Sequence, residues 1–128
     1  MTERFGSGGV WEDVYGYSRV VAAGPLVWVA GTTATRDGVV QHVGDAYHQA
    51  LYAFRAAIAA LGGAGATIDD VVRSRMYVVD RANADAVGRA HGELFGAVRP
   101  SSTLVVVAGL IHPDHLVEVE LDAYREPA

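Results

Sequence analysis

Leu116 to Tyr124 alternates between apolar and acidic positions, which predicts a strand. Val117, Val119, Leu121 and Ala123 share one face, and Glu118, Glu120 and Asp122 share the other. Successive acids on that face lie roughly 7 Å apart, from a rise of about 3.4 Å per residue. Thr103 to Val107 is apolar without alternation, which predicts a strand buried on both faces. Before it, Pro100 ends any helix and biases Arg99 toward extended backbone. Asp45 to Leu61 has a different period. Tyr47, Ala50, Leu51, Phe54, Ile58 and Leu61 fall at helical spacing and form one apolar stripe. Asp45 favours the helix start by capping or by its charge, and Gly62-Gly63 stops it.

Val71 to Asp80 predicts another strand, with Arg73, Arg75 and Tyr77 on one face and Val72, Ser74, Met76 and Val78 on the other. Asn83 or Asp85 caps a second helix running to about Val98, with a stripe of Val87, His91, Leu94, Phe95 and Val98. Upstream, Tyr17 to Ala23 and Leu26 to Ala30 are β-rich runs that Gly24-Pro25 joins as a hairpin. Residues 31–38 form a polar loop ending in an Asp-Gly turn. Residues 1–14 are glycine-punctuated and aperiodic, and predict a loop or a flexible arm. The order β-β-α-β-α-β-β implies a single α+β domain over 1–128, two layers, with both helices on one face of the sheet.

Composition extends this picture. The chain is 51% hydrophobic with a mean hydropathy of +0.19, apolar for a domain of 128 residues. Trp28, Tyr77 and the 104–107 run put apolar groups on the sheet face that the helices do not cover. That face therefore predicts burial against another subunit. The net charge of −5, with no run of basic residues, argues against a nucleic-acid partner. All 10 basic residues are Arg, so lysine Schiff bases and phosphate-loop lysines are excluded. The absence of Cys excludes disulfides and thiolate nucleophiles, and fits a reducing compartment. The N-terminus has no basic region followed by an apolar core, the pattern of a signal peptide. Gly24-Pro25 interrupts the longest apolar stretch, which falls short of the roughly 20 residues of a membrane span. A cytoplasmic protein with no membrane partner is expected.

The stretch from Pro100 to Ala123 resembles the C-terminal signature of the RidA family, also called YjgF. Pro100, Thr103, Val105, Val107, Leu110, Val117-Glu118-Val119-Glu120 and Ala123 carry the likeness. Tyr17, Val29-Ala30-Gly31, Asp70-Val71-Val72 and Tyr77-Val78-Val79-Asp80 extend it over nearly the whole chain. The resemblance implies a chorismate-mutase-like fold and a homotrimer with a ligand cleft at each subunit boundary. It also implies a cofactor- and metal-independent hydrolysis of a small enamine or imine.

By that resemblance Glu118 orients the attacking water and Tyr17 lines the cleft. Ala30 stands where a serine is usual, beside Gly31. Ser102 stands where most active members carry an arginine, and the Ser102-Thr103 turn is expected to hold the substrate. An arginine gives two parallel charged hydrogen bonds to a carboxylate, whereas a serine gives one neutral donor. The ligand is therefore expected to differ from a standard 2-imino acid, and Arg99 or Arg75 is a candidate substitute clamp. The residues also admit plainer roles. Glu118 can pair with Arg73 or Arg75, Tyr17 can be a half-buried strand aromatic, and His91 can be a hydrogen-bonded histidine at the helix–sheet boundary rather than a cleft acid–base group. His112-Pro113-Asp114-His115 is a weak metal signal with no third ligand at regular spacing. A non-catalytic ligand-binding trimer is the alternative function. Ribonuclease, an activity attributed to some family members, fits the acidic balance less well.

Overall fold

The computed structural model describes residues 1–126 and arranges them around a six-stranded mixed sheet. The strands are β1 (Thr2–Phe5), β2 (Val20–Ala23), β3 (Leu26–Thr32), β6 (Val71–Val79), β7 (Ser101–Val107) and β8 (Val117–Tyr124), in the spatial order β1-β2-β3-β8-β6-β7. β6 and β7 pair in parallel, and the other neighbours are antiparallel. Two further short strands, β4 (Thr35–Arg36) and β5 (Val39–Val40), form a separate hairpin. The helices are α1 (Val10–Tyr15), α2 (Ala46–Gly63) and α3 (Ala84–Phe95).

The long helix lies where its stripe predicts. The Asp45 side chain accepts the His48 backbone N–H at 3.0 Å and so satisfies one of the free donors of the first turn. α2 packs on β8 and β3, and α3 packs beside α2. Their apolar stripes meet Val117, Val119 and Leu121 of β8, all fully buried. Phe54 of α2 and Phe95 of α3 cross edge-to-face at 5.3 Å between centroids. Full burial of each such ring contributes about 1.5–3 kcal/mol.

Gln49 ties a loop to this core. Although fully buried, it donates from Nε2 to the Asp114 carbonyl at 2.9 Å and accepts the Leu116 N–H on Oε1 at 2.8 Å. Both amide ends are satisfied, which offsets the cost of burying them.

Several expectations are corrected. The N-terminal arm is a strand and a short helix: β1 adds to the sheet edge beside β2, and α1 follows it. The α-helices therefore number three among the described residues. Within the expected 31–38 loop, β4 begins the small hairpin. Asp37 and Gly38 both take positive φ (50° and 77°), as a tight hairpin turn of that twist requires. The apolar run of β7 is not enclosed on both faces, because among the described residues β7 is an edge strand paired only with β6 and Val105 and Val106 are 42% and 48% exposed. Val72 leaves the face of Ser74, Met76 and Val78, because a register shift between Val71 and Arg73 turns it outward. The second helix stops at Phe95 instead of Val98. Arg99 closes it with φ of 56°, donating its N–H to the Phe95 carbonyl at 2.8 Å. This left-handed closure overrides the extended bias that Pro100 sets.

Candidate functional site

Glu118 follows from the alternation of β8. Its neighbours Val117 and Val119 point into the helix layer, so its carboxylate lies on the open face of the sheet. There it meets the end of β3. The register between β3 and β8 shifts between Val29 and Thr32, and Gly31 sits in that irregular segment. A Cβ on Gly31 would meet the Glu118 carboxylate, so any larger residue there would displace the acid from this position. Glu118 is half-buried, and burial pushes its pKa up, with the nearby Glu120 adding to the rise and Arg19 opposing it.

Arg19, which sequence reasoning missed, holds the bulge together. Its Nη1 donates to the Gly31 carbonyl at 2.7 Å, to Thr32 Oγ1 at 3.1 Å and to the Ala30 carbonyl at 3.4 Å. Its guanidinium also lies 5.9 Å from the Tyr17 ring centroid. Arg19 thus links Tyr17, Ala30, Gly31 and Glu118 in one neighbourhood. The available signal was a lone arginine inside a β-rich run. Tyr17 is 42% exposed and lines a shallow depression of about 530 Å³ with Arg4, Glu12 and Asp13, and Glu118 is not among its lining residues.

The remaining acids of β8 are engaged. Glu120 accepts the Tyr77 hydroxyl, and Arg75 donates to Asp122 at 3.1 Å with Glu120 at 3.9 Å. Arg75 is therefore paired with an acid of the neighbouring strand. Arg99 is exposed on the helix-closing turn. His115, from the weak metal pattern, shares a 2.8 Å hydrogen bond between its Nε2 and Thr35 Oγ1.

Ser102 and Thr103 lie inside β7 and not in a turn, which corrects the expectation that they act side by side. Strand alternation sends them to opposite faces. Thr103 Oγ1 accepts from Arg73 Nη1 at 3.3 Å on the open face. Ser102 turns to the helix side, where its Oγ accepts the Ser74 hydroxyl at 2.8 Å. Ser74, fully buried on β6, shares a second hydrogen bond of 2.7 Å with His91 Nε2. The His91 ring stacks on Phe95 at 4.7 Å, and burial holds its pKa down. His91 is thus hydrogen-bonded at the helix–sheet boundary, with Ser102 at the outer end of the same chain. Sequence reasoning missed Ser74. Its signal was a lone hydroxyl on the apolar side of β6 facing a histidine in an apolar helical stripe. The nine candidate residues therefore fall into a Glu118 group on the open face, a Ser102–His91 group on the helix side, and the engaged or exposed Arg75, Arg99 and Thr103.

The sequence matches the family model described as Endoribonuclease L-PSP over residues 12–125. The chain belongs to this family, the YjgF/RidA family. The family places the α+β architecture above among chorismate-mutase-like folds. The chain is 47% identical over 122 residues to an uncharacterized protein of Streptomyces coelicolor, covering 95% of this chain and 91% of that one. It is 31% identical over 104 residues to the 3-aminoacrylate deaminase RutC of Acinetobacter baylyi, covering 80% and 82% of the two chains. The crystal structure of a YjgF/UK114 family member from Mycobacterium tuberculosis superposes with a TM-score of 0.87 at 45% identity, covering 97% and 99%. Among the described residues, no helix is long and apolar enough to cross a membrane.

Proposed function

We propose that the chain is a hydrolytic deaminase of a small enamine or imine, working without a cofactor in a cleft between subunits of a homotrimer. The observation that carries this reading is Glu118. It is a half-buried carboxylate with a raised pKa, seated against Gly31, whose lack of a Cβ leaves it its present position. A carboxylate tuned upward is a better proton acceptor near neutral pH. In the reaction, Glu118 takes a proton from water as the water oxygen adds to the imine carbon. The resulting carbinolamine nitrogen receives that proton, the C–N bond breaks as the carbinolamine hydroxyl gives its own proton to the regenerated Glu118 carboxylate, ammonia leaves and a carbonyl remains. An enamine enters the same sequence after gaining a proton on carbon. Tyr17 supplies a hydroxyl from the same neighbourhood to hold the ligand.

Likeness to a 3-aminoacrylate deaminase supports the reaction class. The trimer is supported by the separation of the two residue groups, since a cleft that uses both faces of the sheet must draw them from different chains. Trp28 and Val105, 39% and 42% exposed on the open face, are the apolar groups such contact would cover. The family description names an endoribonuclease, but the net charge of −5 and the absence of Lys weigh against an RNA substrate. One observation favours a second reading, a non-catalytic ligand-binding trimer: Ser102 occupies the position where the resemblance expects the clamping arginine.

Ammonia release from enamines and imines generated in situ tests the proposal. The parent is expected to accelerate release, and Glu118→Gln is expected to lower turnover by about 100-fold or more while remaining folded. A parent that binds ligand without accelerating release supports the binding-protein reading.

A further inference from the structure

We propose that Ser74 and His91 orient the Ser102 hydroxyl outward as the hydrogen-bond donor for the uncharged carbonyl oxygen of an amide or ester, so that this edge selects these groups over carboxylates. The proposal rests on the preceding reading only in taking the Ser102 edge as part of the ligand site.

The argument is a count of protons. A serine hydroxyl has one proton to give and can accept on its oxygen. The buried Ser74 gives its proton to Ser102 Oγ at 2.8 Å. Its 2.7 Å contact with His91 must then run the other way, with His91 donating Nε2–H to Ser74 Oγ. Three donors consequently point in one direction, from His91 through Ser74 to Ser102. The proton of Ser102 is used by neither partner, and Ser102 is exposed at the edge of the sheet. Hydrogen bonds aligned in this way polarise one another, which makes the last hydroxyl a stronger donor.

Two of the three nearby arginines are engaged away from this point, which leaves Arg99 as the cation a carboxylate could meet. Arg73 reaches Thr103 on the opposite face, and Arg75 is held by Asp122. Arg99 is exposed on the helix-closing turn. Burial disfavours the charged form of His91, so the chain ends in a neutral imidazole. A neutral donor compensates a carbonyl oxygen for its lost water. A carboxylate brings a full charge and, without a cationic partner, loses more hydration than one such bond returns.

Pyruvamide and pyruvate test this directly, since they share a skeleton and differ in charge. Each is titrated into the full-length protein carrying 15N-labelled histidine, and the His91 ring signals are followed, assigned through His91→Gln. Pyruvamide is expected to bind about tenfold tighter than pyruvate and to shift His91 Nε2, one neutral hydrogen bond being of that order. Ser102→Ala should weaken pyruvamide about tenfold and leave pyruvate unchanged. Ser74→Ala should do the same and Ser74→Thr should restore the preference. His91→Gln keeps an N–H donor and should retain it, whereas His91→Phe should lose it. If Ser74→Ala fails to fold, the exposed Ser102→Ala variant still decides the matter. Pyruvate bound as tightly as pyruvamide, no binding of either, or an unaltered preference in Ser102→Ala overturns the proposal. Ammonia release is scored separately. A parent that deaminates without the amide preference loses this proposal and keeps the deaminase reading, and the converse result does the reverse.

Discussion

On the helix side of β8, Val117, Val119 and Leu121 are wholly buried beneath α2 and α3; on the other side of the same strand, Glu118, Glu120 and Asp122 stay partly open. The helix side is closed by aromatic and aliphatic contacts within one chain. The open side carries an ion-pair network, a carboxylate with a raised pKa and exposed Trp28. Core packing and the partly exposed acids are thus assigned to alternate residues of one strand. The pleat, with its period of two, lets the two sets vary without disturbing each other.

The sharpest way to break this division is to attack the closed side. Phe54→Ala removes a ring with no exposure and should lower unfolding free energy by about 3–5 kcal/mol, measured by urea denaturation. Equal stability would mean that α2 does not hold the sheet. On the open side, Trp28→Glu should leave monomer stability nearly unchanged. If Trp28 lies in the interface of the proposed trimer, the substitution should weaken association by about thirtyfold. Sedimentation of the parent at a mass other than three times the 13.5 kDa chain would remove the interface from the comparison. A smaller effect is expected at the helix start. Asp45→Ala loses the bond to the His48 N–H and should cost about 1 kcal/mol by the same denaturation assay.

The least effect is a slope. Glu118 holds its proton more tightly folded than unfolded. As pH rises from the ordinary glutamate pKa through the raised one, the folded chain carries more bound protons and stability falls. Subtracting the profile of Glu118→Gln from that of the parent should isolate this fall. A flat difference would mean that the carboxylate is not desolvated.

Much of this division was legible in the sequence, because both periods are written in adjacent residues. The stripe from Tyr47 to Leu61 predicted α2 together with its Asp45 cap, and the alternation from Val117 to Ala123 separated the two sides of β8. Failures arose where the deciding neighbour lies far along the chain. The apolar run at 104–107 looked like a central strand, but position in a sheet depends on which strands pair, and β7 has only β6 beside it. The N-terminal residues are too short and too glycine-punctuated to show a period, and β1 exists because β2 offers it an edge. Arg99 misled because a local proline rule competed with helix closure. At the site, Glu118, Gly31 and Tyr17 were marked by resemblance. Arg19 and Ser74 were not, since each acts by bridging residues that only folding brings together.

Gln49 has a consequence for engineering. Its primary amide, with one N–H given to Asp114 and one oxygen offered to Leu116, reproduces the pairing that a peptide unit of a neighbouring strand would make. A helix side chain thereby serves as a surrogate strand edge for the segment entering β8. The segment between Val107 and Asp114 is anchored at both ends, by β7 and by this amide, so it is a natural place for grafting. Peptides of altered length or chemistry inserted there should be presented beside the strand ends, provided the backbone at 114 and 116 keeps its spacing and residue 49 keeps its amide.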